Sequence, residues 1–151
     1  MKKIILFFVS GFFLICNFCF SQTDSISKYS KFSKGDIIVS SDLSPKADNI
    51  NISNKPYDEY IIGVFREMSK MKEGIDNRIK YNPVLLKGIA EVKYNSENGL
   101  IKKGDAITAS SEAGVGMKAT KTGMIVGIAL EDATAPSGLI KIRICVQYVV
   151  Q

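Results

Sequence analysis

Two stretches of the chain carry the same pattern, FSKGDIIVSS at Phe32–Ser41 and IKKGDAITASS at Ile101–Ser111. Each has an apolar residue, a polar residue, Lys-Gly-Asp, a short run typical of a β-strand and two serines. A second similar pair follows them, IIGVFRE at Ile61–Glu67 and IVGIALE at Ile125–Glu131. Internal similarity indicates a duplicated architecture. The motifs therefore predict an all-β fold, a small pseudo-duplicated β-barrel that is closed or partly open.

The first 21 residues have the organisation of a signal peptide. Lys2 and Lys3 precede an apolar run over Ile4–Cys16, and residues 19–21 (CFS) place small side chains where cleavage before Gln22 requires them. An uncleaved anchor is the alternative, but its apolar run is shorter than the ~20 residues that span a bilayer. We therefore expect an exported protein that is periplasmic, bound to the cell surface or secreted, with no membrane span after signal removal.

The remaining chain divides into a leader and one domain. Residues 22–33 are polar and serine-rich, which is typical of a flexible leader. Residues 34–151 are expected to form a single β-barrel domain. Apolar residues at helical spacing interrupt the strand pattern near 66–80, so this connection is either one short helix or an ordered excursion.

Composition excludes several classes of function. Removal of the signal peptide takes Lys2 and Lys3 and lowers the formal net charge from +5 to +3, and the remaining lysines are scattered, so we expect no nucleic-acid partner. The chain has no histidine, which excludes Ser-His-Asp and Cys-His catalysis and nearly all zinc sites. Cys145 is then the one cysteine left and is interpreted as a packing residue. No cofactor or metal is expected.

We assign a structural role to the turns that contain glycine. Gly35-Asp36 and Gly104-Asp105 combine a residue with few backbone restrictions and a carboxylate that can accept hydrogen bonds from the N–H groups of a turn. Both aspartates are predicted to be structural, not catalytic. Asn98-Gly99 is the strongest β-hairpin signal in the chain.

In the last predicted strand, Leu139–Gln151, apolar and polar residues alternate more regularly than elsewhere in the chain. Such alternation predicts one buried face, and an edge of this strand could pair with another chain. The residues of the predicted buried face are Ile140, Ile142, Ile144, Val146, Tyr148 and Val150.

The ordered motifs also resemble a known family. Those motifs are Gly35–Ser40, Lys55–Asp58 with Ile62–Val64, Asn98–Asp105, Gly114–Ala119 and Ile125–Glu131. The paired Lys-Gly-Asp turns resemble the GD box of cradle-loop and double-psi β-barrels. From about residue 32 onward the chain is similar to bacterial exported or phage-appendage β-domains, including the autoproteolytic peptidase G2-like domain of phage tail appendages. The resemblance implies self-association, as a trimer, and self-cleavage in the autoproteolytic members.

These observations lead to one functional expectation and two alternatives. We expect a non-enzymatic structural or interaction domain of the bacterial envelope or surface, with a homo-oligomer or an envelope protein as its partner. The first alternative is an autoproteolytic domain, in which Ser110 or Ser111 attacks the backbone with Glu112 as the base. The second is a glycan-binding module that uses exposed tyrosines; the candidates are Tyr57, Tyr60, Tyr81 and Tyr94.

Overall fold

The structure is a computed structural model that describes residues 29–42, 49–66 and 83–150. The predicted signal peptide, residues 22–28 of the predicted leader and residues 67–82 of the predicted connection lie outside the described residues. Within them the all-β class is confirmed, and nothing among them forms a helix with the length and apolar character of a membrane span. The strands are β1 (Ile37–Ser40), β2 (Ile50–Ile52), β3 (Ile61–Phe65), β4 (Val84–Leu85), β5 (Gly88–Asn95), β6 (Ala106–Ala109), β7 (Gly116–Lys118), β8 (Gly123–Ala129) and β9 (Ser137–Val149).

The described strands form two sheets. The first has the order β2-β1-β3-β4, and all of its pairs are antiparallel. The second closes on itself in the order β5-β7-β6-β8-β9. Its pairs are antiparallel except β5–β7, a parallel contact made at Tyr94 and Gly116.

The two sheets repeat one arrangement, as the sequence motifs predict. The order β2-β1-β3-β4 in the first half corresponds to β7-β6-β8-β9 in the second. The registers also correspond, because Ile38 lies opposite Gly63 and Ile107 lies opposite Gly127. Strand β5 has no counterpart among the described strands, and it is the element that joins β7 to β9. The halves therefore build separate sheets, and the addition of β5 closes the second one.

Equivalent hydrogen bonds join each Lys-Gly-Asp turn to its own Gly-containing strand. We call Gly35–Asp36 the first corner and Gly104–Asp105 the second corner. Phe65 N donates to Asp36 O (2.8 Å) and Gly35 N donates to Phe65 O (3.0 Å). In the second half Ala129 N donates to Asp105 O and Gly104 N to Ala129 O, both at 2.9 Å. The duplication thus extends to individual backbone groups.

A glycine in each half explains the shared apolar-apolar-Gly motif. A Cβ atom on Gly63 would overlap the carbonyl oxygen of Leu85 in β4. A Cβ atom on Gly127 would overlap the carbonyl oxygen of Arg143 in β9. Since β4 and β9 occupy equivalent places, both glycines are required for the same close approach of neighbouring backbones.

One apolar core is shared by both sheets. Branched aliphatic side chains dominate it, and burial of such side chains is the main favourable contribution to folding. Its buried members are Ile37, Ile61, Val64, Ala90, Val92, Tyr94, Ile101, Ile107, Ala109, Val126, Ala129, Ile140, Ile142 and Ile144.

The predicted hairpin at Asn98-Gly99 is wrong, although the residues do form a turn. Gly99 has φ +93° and its N–H donates to Ser96 O at 2.9 Å. The strands on either side, β5 and β6, are not neighbours, because β7 lies between them. The Asn98 amide donates to the Lys118 carbonyl at 3.1 Å and so holds the turn against β7. This tertiary contact replaces the local strand pairing that the dipeptide favours.

Candidate functional site

The first corner is a buried polar turn. Gly35 has φ +88°, a conformation that favours glycine. The Asp36 side chain is 4% exposed, and its Oδ2 accepts a hydrogen bond from Ser33 N at 2.7 Å. Its Oδ1 lies 2.6 Å from Lys93 Nζ, and Ser33 Oγ also donates to the carboxylate. The carboxylate is therefore paired and hydrogen-bonded, as a buried charge must be.

The second corner has the same local geometry with a different cation. Gly104 has φ +92°, and Asp105 Oδ2 accepts a hydrogen bond from Lys102 N at 2.7 Å. The side chain of Asp105 is 22% exposed and lies 2.9 Å from Lys118 Nζ. The ammonium group at the first corner comes from β5, whereas here it comes from β7.

The two corners differ most in the surroundings of their glycines, Gly35 and Gly104. A Cβ atom on Gly35 would lie 3.0 Å from Leu139 Cδ2 and 3.1 Å from Lys93 N. The carbonyl of Gly35 accepts a hydrogen bond from Lys93 N at 3.0 Å, so the first corner lies directly against β5. No described atom lies within 4 Å of the corresponding position on Gly104.

The first corner also helps to close the second sheet. The pairing of strands β5 and β7 has one register position, Tyr94 opposite Gly116. The first corner is bonded to β5 through Gly35 O, and Ile37 N donates to Gly114 O, just before β7, at 2.9 Å. The first corner therefore connects the two strands where their own pairing is shortest. We assign it a structural role in holding the two halves together.

Tyr57 is a second connection between the halves, and the sequence analysis did not identify it as such. It has φ +55°, the one positive φ among the described non-glycine residues. Its hydroxyl oxygen accepts a hydrogen bond from Thr120 N at 2.8 Å and one from Asn98 Nδ2 at 3.3 Å. Lys121 Nζ lies 4.8 Å from the centre of its ring. Its hydroxyl and ring are thus occupied by contacts within the fold.

The serines proposed for self-cleavage lie in a polar cluster. Ser110 is fully buried, and its hydroxyl donates to Val115 O at 2.9 Å. The Glu112 carboxylate lies 3.3 Å from Asn95 Nδ2. Within this cluster, the Glu97 carboxylate accepts hydrogen bonds from both the hydroxyl (2.8 Å) and the N–H (3.0 Å) of Ser111.

Among the described residues, no carboxylate is hydrogen-bonded to the Ser110 hydroxyl. A hydroxyl nucleophile must pass its proton to a basic group as it attacks. Ser110 instead donates to a backbone carbonyl, and its oxygen accepts from Glu112 N at 3.2 Å. The Glu97–Ser111 pair joins the turn that follows β5 to the loop that follows β6, which gives it a structural explanation.

The tyrosines proposed for glycan binding do not form one exposed group in the described structure. Tyr94 is 4% exposed and its hydroxyl donates to Ala135 O at 2.9 Å. Tyr60 is 44% exposed and lies near Lys55 Nζ, 5.6 Å from the ring centre. Tyr81 lies outside the described residues. Of the four proposed tyrosines, Tyr60 is therefore the one that the described structure leaves exposed.

Comparisons of the chain with family models, with curated proteins and with solved structures found no match. The resemblance to the peptidase G2-like domain stays a prediction. Within the described ranges, no group of three or more acidic, histidine or cysteine side chains is placed to hold a metal ion.

Proposed function

We propose that this chain is an exported, non-enzymatic structural and interaction domain of the bacterial envelope or surface that associates with copies of itself. The sequence of residues 1–21 supports export. The corners support a structural role, because their carboxylates are bonded to backbone N–H groups and lysines of the same fold.

One observation carries the self-association: an edge of β9 has no strand partner in the part of the chain that is described. After Ile144, β8 is the one described strand that pairs with β9. An unpaired edge presents backbone donors and acceptors that can pair with another strand. Such edges are the ordinary basis of strand addition between chains.

Light scattering coupled to size-exclusion chromatography tests this proposal. The mature chain, which begins at Gln22, is expected to elute with a mass that is a multiple of its own. A single-chain mass over the whole accessible concentration range would contradict self-association. Mass spectrometry of the same sample after several days tests the autoproteolytic alternative, and we expect one uncut species.

A further inference from the structure

We propose that residues 145–149 of β9 form a self-docking edge, along which two copies of the chain pair antiparallel. This inference rests on the proposed self-association and names the surface that produces it. We use "β9 edge" for these five residues throughout.

The β9 edge begins where β5 ends. Strand β5 covers one side of β9 from Ser137, opposite Asn95, to Ile144, opposite Gly88. On the other side β8 pairs with β9 as far as Val149. Of the described strands, only β8 pairs with Gln147–Val149, Cys145 and Val146 lie where the β8 register shifts, and no described strand pairs with residues 145–149 on the β5 side.

Length separates the β9 edge from the two outer strands of the first sheet. Strand β2 has three residues and β4 has two. Short edge strands are one of the means by which proteins prevent association. The β9 edge has five residues in a strand of thirteen, and the last three of them, Gln147–Val149, are paired with β8. It can form the longest ladder with the least ordering of its own chain.

The β9 edge also lacks charge. Its sequence, CVQYV, has no lysine, arginine, aspartate, glutamate or proline, which are the residues that protect natural edges. The part of β9 that β5 covers contains Lys141 and Arg143. Since the mature chain has a positive formal net charge, two copies approach most easily where neither presents a charged group.

A β-bulge turns apolar side chains of this segment outward. Between Ile125 and Gly127 the pairing moves two residues along β8 but three along β9, from Gln147 to Ile144. The extra residue in β9 ends the alternation on which the sequence prediction relied. Tyr148 is consequently 63% exposed instead of buried, and Val150 is 79% exposed.

A second copy is the occupant that fits these features. Two identical strands that pair antiparallel about a two-fold axis form an isologous contact, in which each supplies the same residues. With the axis at Gln147, this residue lies opposite its own copy, and the exposed Tyr148 follows it along the edge. The contact joins chains in twos, in contrast to the trimer that the family resemblance implies.

Tyr148→Lys tests the inference directly, because it places a charge on the β9 edge without touching the core. We expect the wild-type chain to be a dimer by light scattering and the variant's dimer dissociation constant to rise about tenfold or more. Ile89→Lys is the matched control, since Ile89 is 67% exposed on β5. It should leave the dissociation constant unchanged. Circular dichroism checks that each variant is folded.

Disulfide trapping tests the register. Gln147→Cys in a Cys145→Ser background should form a cross-linked dimer on mild oxidation. Opposite Cα atoms in an antiparallel pair are ~4.5–5.5 Å apart, which a disulfide can span. Lys141→Cys in the same background is the control, because β5 covers that part of β9, and it should stay uncross-linked.

The outcomes separate the two proposals. A monomeric wild-type chain contradicts both the proposed self-association and the β9 edge. An oligomer whose dissociation constant is the same in wild type and Tyr148→Lys contradicts the β9 edge alone. A trimer also contradicts it, since pairing about a two-fold axis joins only two chains.

Discussion

The two Gly-Asp corners have the same sequence and the same local hydrogen bonds, but different parts of the molecule surround them. At the first corner, β5 supplies two charged side chains: Glu91 pairs with Lys34, and Lys93 pairs with Asp36. At the second corner the partner of Asp105 comes from β7.

Asp132 completes the second corner. Its Oδ1 accepts a hydrogen bond from Lys103 N at 2.8 Å, and its Oδ2 lies 3.6 Å from Lys102 Nζ. The comparison shows that one turn can be stabilised in two ways. One corner is buried against a strand from another part of the chain, and the other is completed by nearby side chains at the surface. Substitutions should therefore have unequal effects at the corners and equal effects where the halves are alike.

The largest effects are expected at Gly63 and Gly127, where the halves are most alike. Alanine at either position would drive a methyl group into a carbonyl oxygen of the adjacent strand, so we expect each variant to lose about 3 kcal/mol or more of unfolding free energy. Denaturant unfolding measures the loss. If one variant were as stable as wild type, the two sheets would not be equivalent at this point.

The next largest difference is expected between Gly35→Ala and Gly104→Ala. Both place alanine at positive φ, which costs roughly 1–2 kcal/mol. Gly35→Ala adds crowding against Leu139 and the backbone of β5, so its total loss should be about 2–4 kcal/mol. Chemical denaturation of the two variants side by side measures the difference, and equal losses would contradict the burial of the first corner.

Asp36→Ala should destabilise the domain more than Asp105→Ala. Removal of the buried carboxylate takes the acceptor from Ser33 N and the ion-pair partner from Lys93, at a cost of about 2–4 kcal/mol. At the more exposed second corner water can replace the carboxylate, and we expect a loss of ~1 kcal/mol.

Asn variants separate charge from hydrogen bonding in this pair. An asparagine oxygen can still accept from the turn N–H group but does not neutralise the lysine. If Asp36→Asn kept most of the unfolding free energy that Asp36→Ala loses, the hydrogen bond to Ser33 would contribute more than the ion pair with Lys93.

The smallest effect concerns acid stability at the second corner. The N–H of Lys103 donates to Asp132 and lowers the pKa of this carboxyl below its ordinary value of 3.8, and the charge of Lys102 adds to the shift. A carboxyl whose pKa is lowered by folding stabilises the protein above its unfolded-state pKa, and this contribution disappears as the pH falls through the folded-state pKa. Asp132→Asn should therefore lose less stability than wild type on acidification below about pH 4. Parallel loss in both proteins would contradict this assignment.

The duplicated motifs were sufficient to predict the fold class and the correspondence of the halves. An aspartate in a turn is hydrogen-bonded to residues close to it in the chain, and a glycine at a close backbone approach belongs to a single pair of strands. Both therefore recur at a fixed spacing that can be recognised in the sequence. The prediction of a hairpin at Asn98-Gly99 was wrong because β7 lies between β5 and β6. The outward position of Tyr148 was missed because a bulge in β9 changes the alternation.

The partners of the candidate side chains were also beyond sequence reasoning. Lysine and glutamate usually lie on the protein surface, and no sequence pattern distinguishes Lys93, Lys118 and Glu97 from the other residues of these types. Lys93 is 57 positions from Asp36, and Glu97 is 14 positions from Ser111. Only the order of the strands brings these groups together.

The sequence by itself determined the two corners, because a Gly-Asp turn is formed by hydrogen bonds between residues three positions apart. It also determined the paired glycines that let neighbouring strands approach. The tertiary structure alone decided which corner is buried. That choice depends on the place of β5 beside the first corner, and no local pattern encodes a contact between segments so far apart in the chain.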